Sequence, residues 1–98
     1  MTIQKNANGS ALTLALEGRL DTTTAPQLEA EINSSIEGVT DLVLDFENLE
    51  YISSAGLRVL LATQKIMNKQ GQMKLTKVCD DVKEVFEITG FSDILTLE

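Results

Sequence analysis

The residues best placed to do chemistry lie in Tyr51-Ile52-Ser53-Ser54-Ala55-Gly56-Leu57, which sets two hydroxyls and a glycine between two differently patterned segments. The run before it, Leu42-Val43-Leu44-Asp45-Phe46, is short, apolar and rich in strand formers. Leu57 to Met67 instead carries apolar residues at helical spacing and holds no Pro or Gly. The serines therefore fall at a helix N-terminus, where the first backbone N–H groups lack intrahelical partners and the helix dipole favours negative charge. A phosphate on either hydroxyl would be tolerated there. The plainer role is a helix cap, which contributes about 0.5 to 2 kcal/mol. With two serines, one can cap while the other is modified.

Other chemistry is excluded by composition. The chain has no histidine, so no Ser-His-Asp or Cys-His nucleophile system can be assembled and the commonest zinc ligand is missing. No Gly-rich phosphate loop of the Walker or dinucleotide type occurs. Carboxylates and lysines remain available for acid–base work. Cys79 is the only cysteine, so it cannot form an internal disulfide, and it reads as a small core residue rather than a reactive thiol. Met67 and Met73 read as packing.

The totals describe one domain over residues 1–98, with 43% apolar and 23% charged side chains. Fifteen acidic against eight basic residues give a net charge of -7. That balance opposes nucleic acid and anionic lipid and favours a basic or neutral protein partner. No signal-peptide pattern and no apolar run long enough to span a bilayer occurs, so a reducing cytoplasm and no membrane insertion are expected.

The elements that must position the serines follow from periodicity. Asn8-Gly9 is a turn signal, and Leu12, Leu14 and Leu16 alternate with smaller residues, which predicts a hairpin and a half-buried strand. Thr24 followed three residues later by Gln27, with Pro26 in the first turn, predicts a capped helix start. Leu28, Ile32 and Ile36 form its apolar stripe, and Gly38 ends it. Leu42 to Phe46 is expected inside the sheet, buried on both faces. The next helix runs from about Ala55 to Asn68 or Lys69. Its residues Leu57, Leu60, Leu61, Gln64 and Met67 should face the sheet, while Val59, Ala62 and Ile66 form a second stripe that either packs on another helix or meets a partner. Arg58, Lys65 and Lys69 make a basic strip between the two. Lys74 to Val78 predicts a further strand. Asp80-Asp81 opens a helix packed through Val82, Val85 and Phe86, and Gly90 closes it. Phe91, Ile94, Leu95 and Leu97 should dock as a last strand or turn. The expected fold is α/β: a mixed sheet of four to five strands covered by three or more helices.

In this order and spacing the chain resembles the STAS domain family, and within it the bacterial anti-sigma factor antagonists. The resemblance rests on Glu17-Gly18-Arg19-Leu20-Asp21, on Leu42-Val43-Leu44-Asp45-Phe46, and on Tyr51-Ile52-Ser53-Ser54-Ala55-Gly56-Leu57, and it spans essentially the whole chain. It implies phosphorylation of Ser54, with Ser53 as the second candidate because the family often has Asp at that place. It also implies partner switching. The unphosphorylated protein binds a GHKL-type serine kinase that is the anti-sigma factor, phosphorylation releases it, and a metal-dependent serine phosphatase restores it. The chain would be substrate and binder, not catalyst, with no cofactor and no metal.

The expected partner-binding set is Asp21, Ser53, Ser54, Gly56, Leu57 and Arg58. Gly56 is expected to keep the helix start open to a kinase active site. Asp21 and Asp45 are each placed at an element edge leading to the serine loop, where they would repel an added phosphate. Arg19, Arg58 and Lys65 could pair with an acidic partner, although isolated surface cations usually only solvate a helix. Two other classes compete: a constitutive STAS adaptor of a transporter or lipid-transport complex, in which the serines only cap, and an enzyme or small-ligand receptor.

Overall fold

The computed structural model describes residues 1–98 throughout. Strand β1 (Thr2–Asn8) turns through Gly9 and Ser10 into β2 (Ala11–Leu20). Helix α1 (Ala25–Ser35), strand β3 (Asp41–Ile52), helix α2 (Ser54–Gln70), strand β4 (Gln72–Thr76) and helix α3 (Asp80–Thr89) follow, and a 3-10 turn spans Phe91–Asp93. The sheet order is β1-β2-β3-β4. Its first pair is antiparallel, and the β2-β3 and β3-β4 pairs are parallel. Gly9 takes the positive φ that the hairpin turn requires (64°).

Leu12, Leu14 and Leu16 of β2 and Leu42, Leu44 and Phe46 of β3 share one buried core with the inner faces of the helices. Leu28 and Ile32 seal α1, and Phe86 of α3 meets Phe46 with ring centroids 6.4 Å apart. Burial along β3 alternates up to Phe46 instead of covering both faces, so the expected double burial is corrected: Val43 and Asp45 on the opposite face are only half-buried. The strand also continues well past Phe46. Register shifts against β2, between Ala15 and Glu17 and between Gly18 and Arg19, break the alternation, so that Leu49 and Ile52 both turn inward.

Three smaller expectations also change. Thr24 occupies the N-cap position of α1 but its side chain makes no cap bond. Its hydroxyl instead donates to the Arg19 carbonyl (2.7 Å) and accepts the Asp21 N–H (2.8 Å), while Gln27 reaches the Met1 carbonyl (3.0 Å). Strand β4 sits two residues earlier than expected because Gln72 N–H donates to the Thr40 carbonyl (2.9 Å) and starts the ladder there. On α2, Leu61 is half-buried rather than facing the sheet, Val59 is buried, and Ala62 and Ile66 are exposed. Thr63 fills the inner face instead, with its hydroxyl donated back to the Val59 carbonyl (2.7 Å).

The chain's last residues dock on β4, where Leu75 N–H donates to the Thr96 carbonyl and Glu98 N–H to the Leu75 carbonyl, both at 2.9 Å. Leu95 is buried there while Ile94 stays 48% exposed. No helix is long and apolar enough to cross a membrane.

Candidate functional site

Strands β2 and β3 run in parallel and end together, with Leu20 opposite Ile52. Ser53 N–H donates to the Leu20 carbonyl (2.9 Å), so the chains that leave both strands begin side by side. The C-terminal ends of parallel strands are the usual place for ligands and partners in open α/β sheets, because loops and helix starts converge there. Here they bring together the Asp21–Thr24 loop and the Ser53–Ser54 start of α2.

Ser53 is the N-cap residue in extended conformation, and its carbonyl accepts Leu57 N–H (3.0 Å). Its Oγ is buried, makes no cap bond and has no hydrogen-bond partner. The capping position is therefore as expected and the capping bond is not. Ser54 is the first residue of α2 and is exposed. The two hydroxyls thus differ in access: one faces solvent and the other faces protein.

Gly56 does a different job from the one expected of it. It is buried, and a Cβ there would stand 2.7 Å from Leu20 Cγ and 2.9 Å from Ile52 Cγ1. The missing side chain lets α2 approach the strand ends closely rather than opening the helix start. Leu57 is buried as well and presents no side chain to a partner. Both support the site from beneath. Arg58, one turn after Ser54, is exposed.

Asp21 organises the neighbouring loop. Its Oδ1 accepts Thr23 Oγ1–H (2.7 Å), Thr23 N–H (3.0 Å) and Thr24 N–H (3.2 Å). The Thr23 hydroxyl bond, aided by the Thr24 and Thr23 amides and opposed by partial desolvation, holds its carboxyl below the ordinary value. Arg19 Nε lies 3.8 Å from Asp21 Oδ2, and its guanidinium stacks 4.2 Å above the Tyr51 ring. Asp45 is not part of this group. It lies mid-strand opposite Thr76, about 20 Å of strand before Ile52, and accepts Glu47 N–H (2.9 Å). The expectation that it would face the serine loop is corrected, because β3 runs on beyond Phe46.

Two concavities are lined by residues of the elements that lead to or from the serine loop. A groove of about 200 Å³ between the starts of α1 and α2 is lined by Thr22, Ala25, Pro26, Glu29, Ala55, Arg58 and Val59. A wider one of about 710 Å³, along the register shifts of β2 and β3, is lined by Glu17, Glu47, Glu50, Asp81 and Cys79 among others. Sequence reasoning missed the roles of Thr23, Thr24 and Tyr51 and the contribution of α1. An Asp-x-Thr-Thr loop motif was the available signal for the first two.

An exposed serine at a helix start, beside a hydrogen-bonded acidic loop at the ends of two parallel strands, marks the surface site of a small α/β domain. The chain belongs to the STAS domain family, whose model matches residues 2–98. Within that family its relatives are anti-sigma factor antagonists. BtrV of Bordetella bronchiseptica, provisionally assigned as an anti-sigma factor antagonist, is 44% identical over 85 residues, covering 85% of this chain and 73% of BtrV. The anti-sigma-B factor antagonist of Staphylococcus aureus is 32% identical over 80 residues, covering 80% of this chain and 74% of that protein. The fold is also that of the Bacillus cell fate determinant SpoIIAA in its phosphorylated form, with a TM-score of 0.77 at 22% identity over 99% of this chain and 91% of that one.

Proposed function

We propose that this protein is an anti-sigma factor antagonist that works by partner switching at Ser54. In the unphosphorylated state it binds a GHKL-type serine kinase that serves as the anti-sigma factor. Phosphorylation of Ser54 by that kinase releases it, and a metal-dependent serine phosphatase returns it to the binding form, all in the cytoplasm. The protein is the substrate and the binder; it catalyses nothing itself. The observation that carries this reading is the contrast between the two serines, Ser54 exposed at the first position of α2 and Ser53 half-buried before it with its Oγ shielded from solvent. Its relatives' role as antagonists supports the choice of partner.

The partner-facing surface is Asp21, Ser54 and Arg58, held in place by Ser53, Gly56 and Leu57. A phosphate on Ser54 adds about -1.5 to -2 charges at neutral pH. Set beside Asp21 in a desolvated interface, that charge can outweigh several contacts, which is enough to release a partner.

The test is to incubate the protein with ATP and lysate from its source, map the phosphate by mass spectrometry, and measure kinase affinity for Ser54→Ala and Ser54→Asp. Ser54→Ala should stay bound under phosphorylating conditions while Ser54→Asp binds at least about tenfold more weakly, a loss of about 1.4 kcal/mol. Equal affinities would sink the switch. A stable partner bound without any phosphate turnover would favour the constitutive adaptor.

A further inference from the structure

Arg58 stands four residues after Ser54 on α2, is exposed, and takes part in none of the protein's three salt bridges. That spacing puts the two side chains on one face, a turn apart. Helical side chains lean towards the N-terminus, which puts the first turn within reach of the guanidinium, and Arg58 lines a groove there with Thr22, Ala25, Glu29 and Ala55. The other cations of this helix, Lys65 and Lys69, lie about three turns or more beyond Ser54. Arg19, the remaining cation of this end, is already engaged by Asp21 and Tyr51.

Resting on the reading of Ser54 as phosphate acceptor, we propose that Arg58 is the built-in counter-ion of that phosphate and is withdrawn from the partner surface when Ser54 is modified. A guanidinium can give two parallel N–H bonds to phosphoryl oxygens, a geometry that lysine lacks. The titratable and charged groups on the elements that meet at this end are Asp21 and Arg19 at the end of β2, Glu50 and Tyr51 near the end of β3, Glu29 of α1, and Arg58 itself. Asp21 is tied to Thr23 and Thr24, and Glu29 forms no ion pair with Arg58 although both line the groove. Arg58 is thus the uncommitted cation closest along the helix to the new charge. Phosphorylation then has two consequences at one surface: a dianion appears, and the cation available to an acidic partner group is folded onto it.

The experiment uses the full chain with phosphoserine installed at position 54 by nonsense suppression, so no kinase need recognise the site. Titration followed by 31P NMR reads the second pKa of the phosphate in the parent and in Arg58→Gln and Arg58→Lys. Arg58→Gln should raise that pKa by about 0.3 to 0.5 unit towards the free phosphoserine value near 6, with Arg58→Lys in between. The gap should narrow in about 1 M salt. Superimposable curves for the parent and Arg58→Gln, with unchanged thermal unfolding, would overturn the counter-ion role. They would leave the switch itself to the Ser54→Ala and Ser54→Asp comparison.

Discussion

The two ends of the same parallel strands are built on opposite principles. At the N-terminal end, Thr40 N–H donates to the Ser10 carbonyl and Gln72 N–H to the Thr40 carbonyl, each at 2.9 Å. The Gln70 amide donates to both the Ile36 and Val39 carbonyls, at 2.8 and 2.6 Å. At the C-terminal end, Ser53 N–H donates to the Leu20 carbonyl and the acidic loop bonds within itself and to Arg19, but the Ser53 hydroxyl is buried without a partner and Ser54 and Arg58 are exposed. One end ties separate connections together. The other ties its chain exits by backbone alone and leaves side-chain polar groups free for a partner, so the side-chain bonding between connections lies away from the site.

The sharpest way to break that comparison is to add one methyl group at each end. A Cβ on Gly71 would fall 2.0 Å from the Thr40 carbonyl oxygen, a backbone atom fixed in the loop network. A Cβ on Gly56 would instead meet the buried side chains of Leu20 and Ile52, a shallower overlap and one with side chains rather than backbone. Gly71→Ala should therefore cost about 3 kcal/mol or more and Gly56→Ala about 1 to 2 kcal/mol, read from denaturant midpoints at constant slope. A larger cost at Gly56 would mean that the serine end is the more rigid of the two.

How much of this was legible beforehand divides along similar lines. The hairpin at Asn8-Gly9, the leucines of β2 and the stripe Leu28, Ile32 and Ile36 were readable because each rests on local periodicity. The serine pair at a helix start was readable for the same reason. What was not legible depends on contacts between elements. Gly56 looks like an opening in sequence because Leu20 and Ile52, which demand its small size, come from two other segments. The length of β3 was hidden because its register shifts break the alternation on which strand reading depends. Thr24 and Gln27 have the spacing of a capping box, but their side chains bond the Arg19 and Met1 carbonyls instead.

A second prediction concerns the acidic loop and separates its charge from its shape. Asp21 has a folded-state carboxyl pKa below the ordinary value. Its contribution is therefore present above the unfolded carboxylate value, about 3.9, and is lost as pH falls through the lower folded value. Asp21→Asn keeps an acceptor oxygen for Thr23 and Thr24 but does not titrate. Thermal unfolding followed from about pH 5 to pH 2 should show a shallower acid decline in Asp21→Asn than in the parent. Parallel declines would mean that the loop holds by geometry alone, as the opposite end of the sheet does.

The smallest expected effect bears most directly on what distinguishes the serine end. Replacing an N-cap serine with alanine ordinarily costs about 1 kcal/mol, because a helix N–H loses its acceptor. Ser53 makes no such bond, and its hydroxyl is already removed from water without a partner. Ser53→Ala removes a desolvated polar atom instead of a cap, and the desolvation cost of an unpaired hydroxyl offsets what little the side chain contributes. Its stability should lie within about 0.5 kcal/mol of the parent. A loss of about 1 kcal/mol or more would show that the hydroxyl rotates onto the first turn in solution and caps α2 after all. The serine end would then be fastened in its resting state as the opposite end is, and modification at Ser54 would have a formed cap to disturb as well as a partner to release.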